Sequence, residues 1–192
     1  MITLDGKSLT IAQVTAVSRG GEKVELSESS RENILLSRKW IDAIVEKGDP
    51  VYGINTGFGC FSNQQINREQ TKTLNRNLIL SHAVGSGARF PDEIVRAAIL
   101  IRANTLAKGH SGVRLIVINT MLEMLNAELT PVVPSQGSLG SSGDLAPLSH
   151  LALVFTTDAD DLDQQSGAAY FRGELMSGKQ AMQAAGIPRI IL

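Results

Sequence analysis

A single cysteine, Cys60, stands among 192 residues. One thiol cannot form an internal disulfide framework or a cysteine-ligated metal cluster. The three histidines, His82, His110 and His150, fall on separate segments without metal-ligand spacing, so no metal is expected. A surplus of one charge sign is also lacking: the formal net charge is -1 and the pI about 6.3. Such a chain has no basic field to draw it to nucleic acid or to an anionic membrane. No apolar run reaches membrane-spanning length, and the N-terminal MITLDGKSLT lacks the charged-then-apolar pattern of a leader. No internal repeat or low-complexity tract is found. These absences leave a cytoplasmic protein of one to two domains as the default expectation. What is present is ordinary: 43% hydrophobic and 19% charged residues, enough for a sizeable core.

The patterning predicts a mainly α chain with small β elements. Thr10-Ile-Ala-Gln13 reads as a capping box opening a short helix. Residues 22–26 alternate as a short strand that would pair with Ile2 to Leu4. Ser29-Ser-Arg-Glu32 reads as a second capping box. Its helix would bury Ile34, Leu35, Trp40, Ile41, Ile44 and Val45, and end at Gly48. A glycine-rich loop, GINTGFG, covers residues 53–59. Further helices are expected over about 68–84, 91–108 and 112–128, with Gly85-Ser86-Gly87 as a break and Pro131 and Pro134 closing the helical region. Pro91 suits a first helical position. A second loop, SQGSLGSSGD, leads into an apolar helix over about 144–155. Asp158 to Gln165 reads as a solvated acidic loop. Residues 168–176 suggest a hairpin around Arg172-Gly173, and Ser177-Gly-Lys-Gln180 a third capping box.

Several familiar motifs fail. Gly57-Phe-Gly59 and Gly85-Ser-Gly87 lack the third glycine of a dinucleotide fingerprint. The SQGSLGSSGD loop has no Lys-Ser/Thr, so it is not a phosphate loop. Gly140-Ser-Ser-Gly-Asp144 misses a nucleophile elbow at its fifth position.

The tripeptide Ser141-Ser142-Gly143 has another chemistry open to it. In a tight turn the Gly143 amide nitrogen can attack the Ser141 carbonyl carbon, and loss of water closes a five-membered ring. Glycine leaves that approach unobstructed. Loss of the Ser142 hydroxyl as a second water then leaves an exocyclic methylidene. Gly137 and Gly140 would compress the loop, and the helix starting near Asp144 would point its positive end at the ring. The plainer alternative is an ordinary helix N-cap after a flexible loop.

Context separates the two. GSLGSSGDLAPLSHLAL resembles the signature of the aromatic amino acid lyases, which share a self-made methylidene-imidazolone. Tyr52-Gly-Ile-Asn-Thr-Gly-Phe-Gly59 resembles the same family's loop with a catalytic tyrosine, and Asn77 to Gly85 its substrate-selectivity segment. The resemblance covers nearly the whole chain and is weakest after Phe155. It implies the N-terminal portion of the helical fold shared with fumarase and aspartase. It also implies catalytic roles for Tyr52, Ser141, Ser142 and Gly143, substrate contacts from Ser81 and His82, and support from Gly53, Asn55, Gly59 and Asp144. The pair Ser81-His82 resembles the histidine-acting members. The reaction implied is non-oxidative elimination of ammonia from L-histidine to trans-urocanate, with Tyr52 taking the β-proton and no external cofactor.

One departure lies at the ring, where the family usually reads Ala-Ser-Gly and this chain has Ser-Ser-Gly. A second is length. Family members are more than twice as long, so residues 1–192 are expected to be the N-terminal region, without the central helical bundle or C-terminal part. Alone the chain would then be inactive, needing the family's tetramer or a complementing C-terminal chain. Apolar helix positions such as Ile99, Leu100, Leu106, Val117 and Met121 would be exposed and drive self-association. The alternatives are a truncated non-catalytic paralogue or partner subunit, and a lyase or aminomutase for another aromatic amino acid.

Overall fold

Two helices, α4 (Asp92–Leu106) and α5 (Leu115–Asn126), pack together and carry much of the core in this computed structural model. It describes residues 1–59, 62, 64, 66–137, 140, 141, 143–158 and 161–192. Cys60 and Ser142 lie outside the described residues. So do Ser138 and Leu139 of the second glycine loop and Asp160 of the acidic stretch. Ile99, Leu100, Ile118, Met121 and Met124 form the buried seam, at 0–2% exposure. Three of the five positions expected to be exposed, Ile99, Leu100 and Met121, are therefore core, and Leu106 and Val117 pack against it. The correction follows from topology. These positions of α4 and α5 face each other and the core, while Ile94, Ile101 and Ile116 of the same helices stay exposed.

The remaining elements surround this pair. β1 (Ile2–Leu4) and β2 (Val24–Leu26) pair in parallel, with α1 (Ile11–Ser18) between them. The Thr10–Gln13 capping box forms as read. α1 lies on α4, where a buried arginine fixes the junction. The Arg96 guanidinium donates to the carbonyls of Val17 (2.9 Å) and Ser18 (3.2 Å) at the end of α1, and to that of Leu125 (3.3 Å) near the end of α5. Helix ends leave such carbonyls without intrahelical partners, and one cation serves two ends here.

The second helix, α2 (Glu28–Lys47), begins two residues earlier than its sequence suggests. The Ser27 hydroxyl accepts from the Ser30 amide and takes the cap from Ser29. Gly48 ends the helix in the left-handed conformation, φ 79°. The expected apolar face is largely wrong. Of its six residues only Ile34 is fully buried, and Trp40 is 75% exposed. α2 is held instead through close backbone approach. The loop after α4 places Gly109 against Asn33 and Gly112 under Ile41. The Gly112 amide donates to Ser37 Oγ (2.8 Å), and Arg38 reaches the Gly112 carbonyl (3.4 Å).

α3 (Arg68–His82) opens with a capping box between Asn67 and Gln70. The expected break at Gly85-Ser86-Gly87 is instead a strand, β3 (Ser86–Arg89), antiparallel to β5 (Pro134–Gln136). β4 (Thr130–Pro131) joins the hairpin β7 (Ala168–Phe171) and β8 (Glu174–Ser177), which turns at Arg172-Gly173 as read. α6 (Leu145–Phe155) packs on α3. α7 (Gly178–Ala184) starts at the Ser177–Gln180 capping box, and β6 (Thr156–Thr157) pairs in parallel with β9 (Ile190–Ile191).

The acidic stretch after β6 is solvated at Asp158, Leu162, Asp163 and Gln164, as expected, but not at Asp161. Asp161 is buried and ion-paired with Arg76 of α3, Nη2–Oδ2 2.5 Å, with side chains 6% and 3% exposed. Arg76 also donates to Thr156 Oγ1 and the Gln165 carbonyl. Arg189 approaches the same carboxylate at 3.9 Å. It donates to the carbonyls of Leu153, Val154 and Thr156 at the end of α6.

Candidate active site

The Tyr52 loop is folded by an amide side chain. Asn55 is 7% exposed. Its Oδ1 accepts from the Val51 amide (2.7 Å) and its Nδ2 donates to the Asp49 carbonyl (2.8 Å). Its own carbonyl accepts from the Ile66 amide (2.9 Å), so the loop is pinned just ahead of the Asn67 cap. Gly53 and Gly59 take left-handed φ of 77° and 58°. Tyr52 is 64% exposed, and its ring meets the edge of Phe58, centroids 6.1 Å apart at 75°.

At the other end of α3, the His82 Nδ1–H donates to the Leu78 carbonyl (2.8 Å), leaving Nε2 for other partners. Ser81 is exposed, its hydroxyl donating to the same carbonyl at 3.1 Å and 3.1 Å from His82 Nδ1. The 15-residue helix α3 separates these residues from the Tyr52 loop by a length of about 22 Å along its axis. Among the described residues no hydrogen bond or ring contact joins Tyr52 to Ser81, His82, Ser141 or Gly143.

The serine- and glycine-rich loop starts by the His82 end of α3. Pairing of Ser86 with Gln136 brings it there. Gly140 and Gly143 adopt left-handed φ of 86° and 73° on either side of Ser141, which is exposed. Both dihedrals lie in the region that glycine enters without steric cost, and glycine at 143 leaves its amide nitrogen without a flanking Cβ. Asp144 precedes α6 without a side-chain cap. Its carboxylate binds Arg102 of α4 at 2.7 Å and ties the loop to the core.

Sequence reasoning passed over His150. From α6 its Nε2 accepts the Gly85 amide at 2.9 Å, which fixes the proton on Nδ1. Burial pushes its pKa below the ordinary 6.5. The unfolded chain therefore binds a proton that the folded chain resists. The associated stability is complete above pH 6.5 and is lost as pH falls through the depressed value. We expect the thermal midpoint to drop between pH 7.5 and pH 5 more steeply in the wild type than in His150→Gln. Equal slopes would contradict the assignment.

The family model described as aromatic amino acid lyase matches residues 9–192. The chain belongs to the aromatic amino acid lyase family. It is 50% identical over 191 residues to a histidine ammonia-lyase of Clostridium tetani and 48% identical to one of Caldanaerobacter subterraneus, covering all of this chain. It spans 36% of the length of these curated relatives. Among solved structures, histidine ammonia-lyase from Trypanosoma cruzi superposes with TM-score 0.86 at 34% identity, over 100% of this chain and 36% of that one. Ergothionase from Treponema denticola superposes with TM-score 0.88 at 31% identity, over 98% and 36%.

Proposed function

We propose that the chain is the ring-bearing part of a histidine ammonia-lyase, which eliminates ammonia from L-histidine to give trans-urocanate. The observation that carries this reading is the 48–50% identity to histidine ammonia-lyases over 191 residues, which include Tyr52, Ser81-His82 and Ser141-Ser142-Gly143. In the reading, the Gly143 nitrogen bonds to the Ser141 carbonyl carbon, and two waters leave, one from that carbonyl and one from the Ser142 side chain. The resulting methylidene-imidazolone, once formed, supplies an electrophilic carbon to the substrate amine. Tyr52 removes the β-proton as general base. His82 offers its Nε2 edge to an imidazole side chain, and Ser81 orients His82. Gly53, Asn55 and Gly59 hold the Tyr52 loop in shape, and Asp144 holds the ring loop on α4. The first residue of the ring contributes only its carbonyl, so a serine there still permits closure.

The proposed site needs more than these residues, because Tyr52 stands at the far end of α3 from the ring loop. A homotetramer, or a chain supplying the rest of the relatives' length, would complete it. Intact mass tests the ring: the purified chain should lack two waters, and Ser142→Ala should lack one at most. Absorbance of urocanate tests the reaction. Histidine should give none with the chain alone and a steady rise when a chain carrying the remaining part of the relatives is added. Cinnamate or coumarate from another amino acid, with no urocanate from histidine, would overturn the substrate assignment.

A further inference from the structure

The end of α3, the ring loop and α6 meet at two glycines. A Cβ added to Gly85 would lie 3.0 Å from His150 Nε2 and 3.1 Å from the Gln136 carbonyl. One added to Gly137 would lie 2.9 Å from the Gly85 Cα and 3.4 Å from the Ala146 Cβ. The two backbones therefore touch as only glycines can. Ala146 and His150 are one helical turn apart and share a face of α6. That face closes on the pair, with His150 Nε2 accepting a hydrogen bond from the Gly85 amide.

We propose that His150 is a positioning residue that clamps Gly85 onto Gly137, and so fixes the point from which the serine- and glycine-rich loop departs toward the proposed ring. The inference rests on the proposed ring chemistry for its consequence, while the clamp itself is a matter of backbone geometry. Without the acceptor, the Gly85 amide has no partner at this junction and the β3–β5 end can part from α6. The ring loop, attached through Gly137, then relaxes. Attack by Gly143 on the Ser141 carbonyl depends on a close approach of those atoms, and a small displacement slows it steeply.

The test uses the 192-residue chain with His150→Phe, His150→Gln and Gly137→Ala. Phenylalanine keeps the ring shape and removes the acceptor. The glutamine Oε1 can stand where Nε2 stands. Gly137→Ala drives the same backbones apart without touching the histidine. Amide hydrogen exchange read by NMR should be about tenfold faster at Gly85 in His150→Phe, with matching acceleration at Gly140 and Gly143, and should return toward wild type in His150→Gln. Gly137→Ala should reproduce the acceleration at Gly140 and Gly143. Uniform acceleration across α4 and α5 in His150→Phe would mean general destabilisation and overturn the clamp, as would unchanged exchange at Gly85. The fraction of chains lacking two waters should fall in His150→Phe and Gly137→Ala and recover in His150→Gln. If the wild type lacks no water, the ring chemistry fails in this chain, and the exchange pattern still decides the clamp.

Discussion

Asp161→Ala is expected to lower the unfolding free energy by about 3–5 kcal/mol, the usual cost of stranding a buried charge by removing its partner. Arg76 is 3% exposed, and its fork is matched to the two oxygens of Asp161 at 3.0 and 2.5 Å. Arg189, 9% exposed, shares the same anion. Removing the carboxylate leaves two guanidinium groups facing each other in a site that water reaches poorly. Burial already pushes Arg189 below its ordinary value, with Asp161 opposing that shift and Arg76 adding to it. A loss of this size in a chain of this length corresponds to a fall in Tm of roughly 10 °C. The damage should centre on α3. Arg76 is the single fully buried residue among its described side chains, so the helix that bears Ser81 and His82 hangs on this ion pair. Urea titrations of the wild type and variant decide the matter, and a loss below about 1 kcal/mol would show that the pair is solvated.

Gly109→Ala should cost about 3 kcal/mol, for two separable reasons. The residue has φ 74°, where an L side chain costs roughly 1–2 kcal/mol. Its Cβ would also lie 2.6–2.9 Å from the Cβ, carbonyl carbon and carbonyl oxygen of Asn33, two of them backbone atoms of α2. Relieving that contact means moving the helix, and overpacking of this kind typically costs about 1–3 kcal/mol. Gly48→Ala isolates the first term, since φ there is 79° and an added Cβ meets nothing within 4 Å. The difference between the two variants, read from thermal or denaturant unfolding, measures how tightly α2 is seated. Equal losses would show that the contact with Asn33 yields without cost.

What the sequence made legible was local. Thr10 with Gln13 and Ser177 with Gln180 act within one turn, and both capping boxes form as written. The α2 cap slipped by two residues because Ser27, Ser29 and Ser30 all offer hydroxyls, and backbone geometry chooses among them. The family was legible because the resemblance is carried by short motifs, around Tyr52, Ser81-His82 and Ser141-Ser142-Gly143. Arg76, Asp161 and Arg189 were not, since charged residues 85 and 28 positions apart read as solvated until the fold joins them. His150 stood inside the ring signature all along. Its partner is an amide 65 residues earlier, at a position read as a break. The apolar periodicity of α2 was real, yet its seating on Gly109 and Gly112 leaves Leu36 and Trp40 outside.

That exposed indole is the chain's sole tryptophan. Fluorescence excited at the indole band therefore reports on one spot, the outer flank of α2, and on no other part of the molecule. In the free chain it should emit as water-bathed indole does and be readily quenched by acrylamide. A second chain lying along α2 would shift the emission to the blue and shield it. Assembly can thus be followed by optical titration without attaching a label.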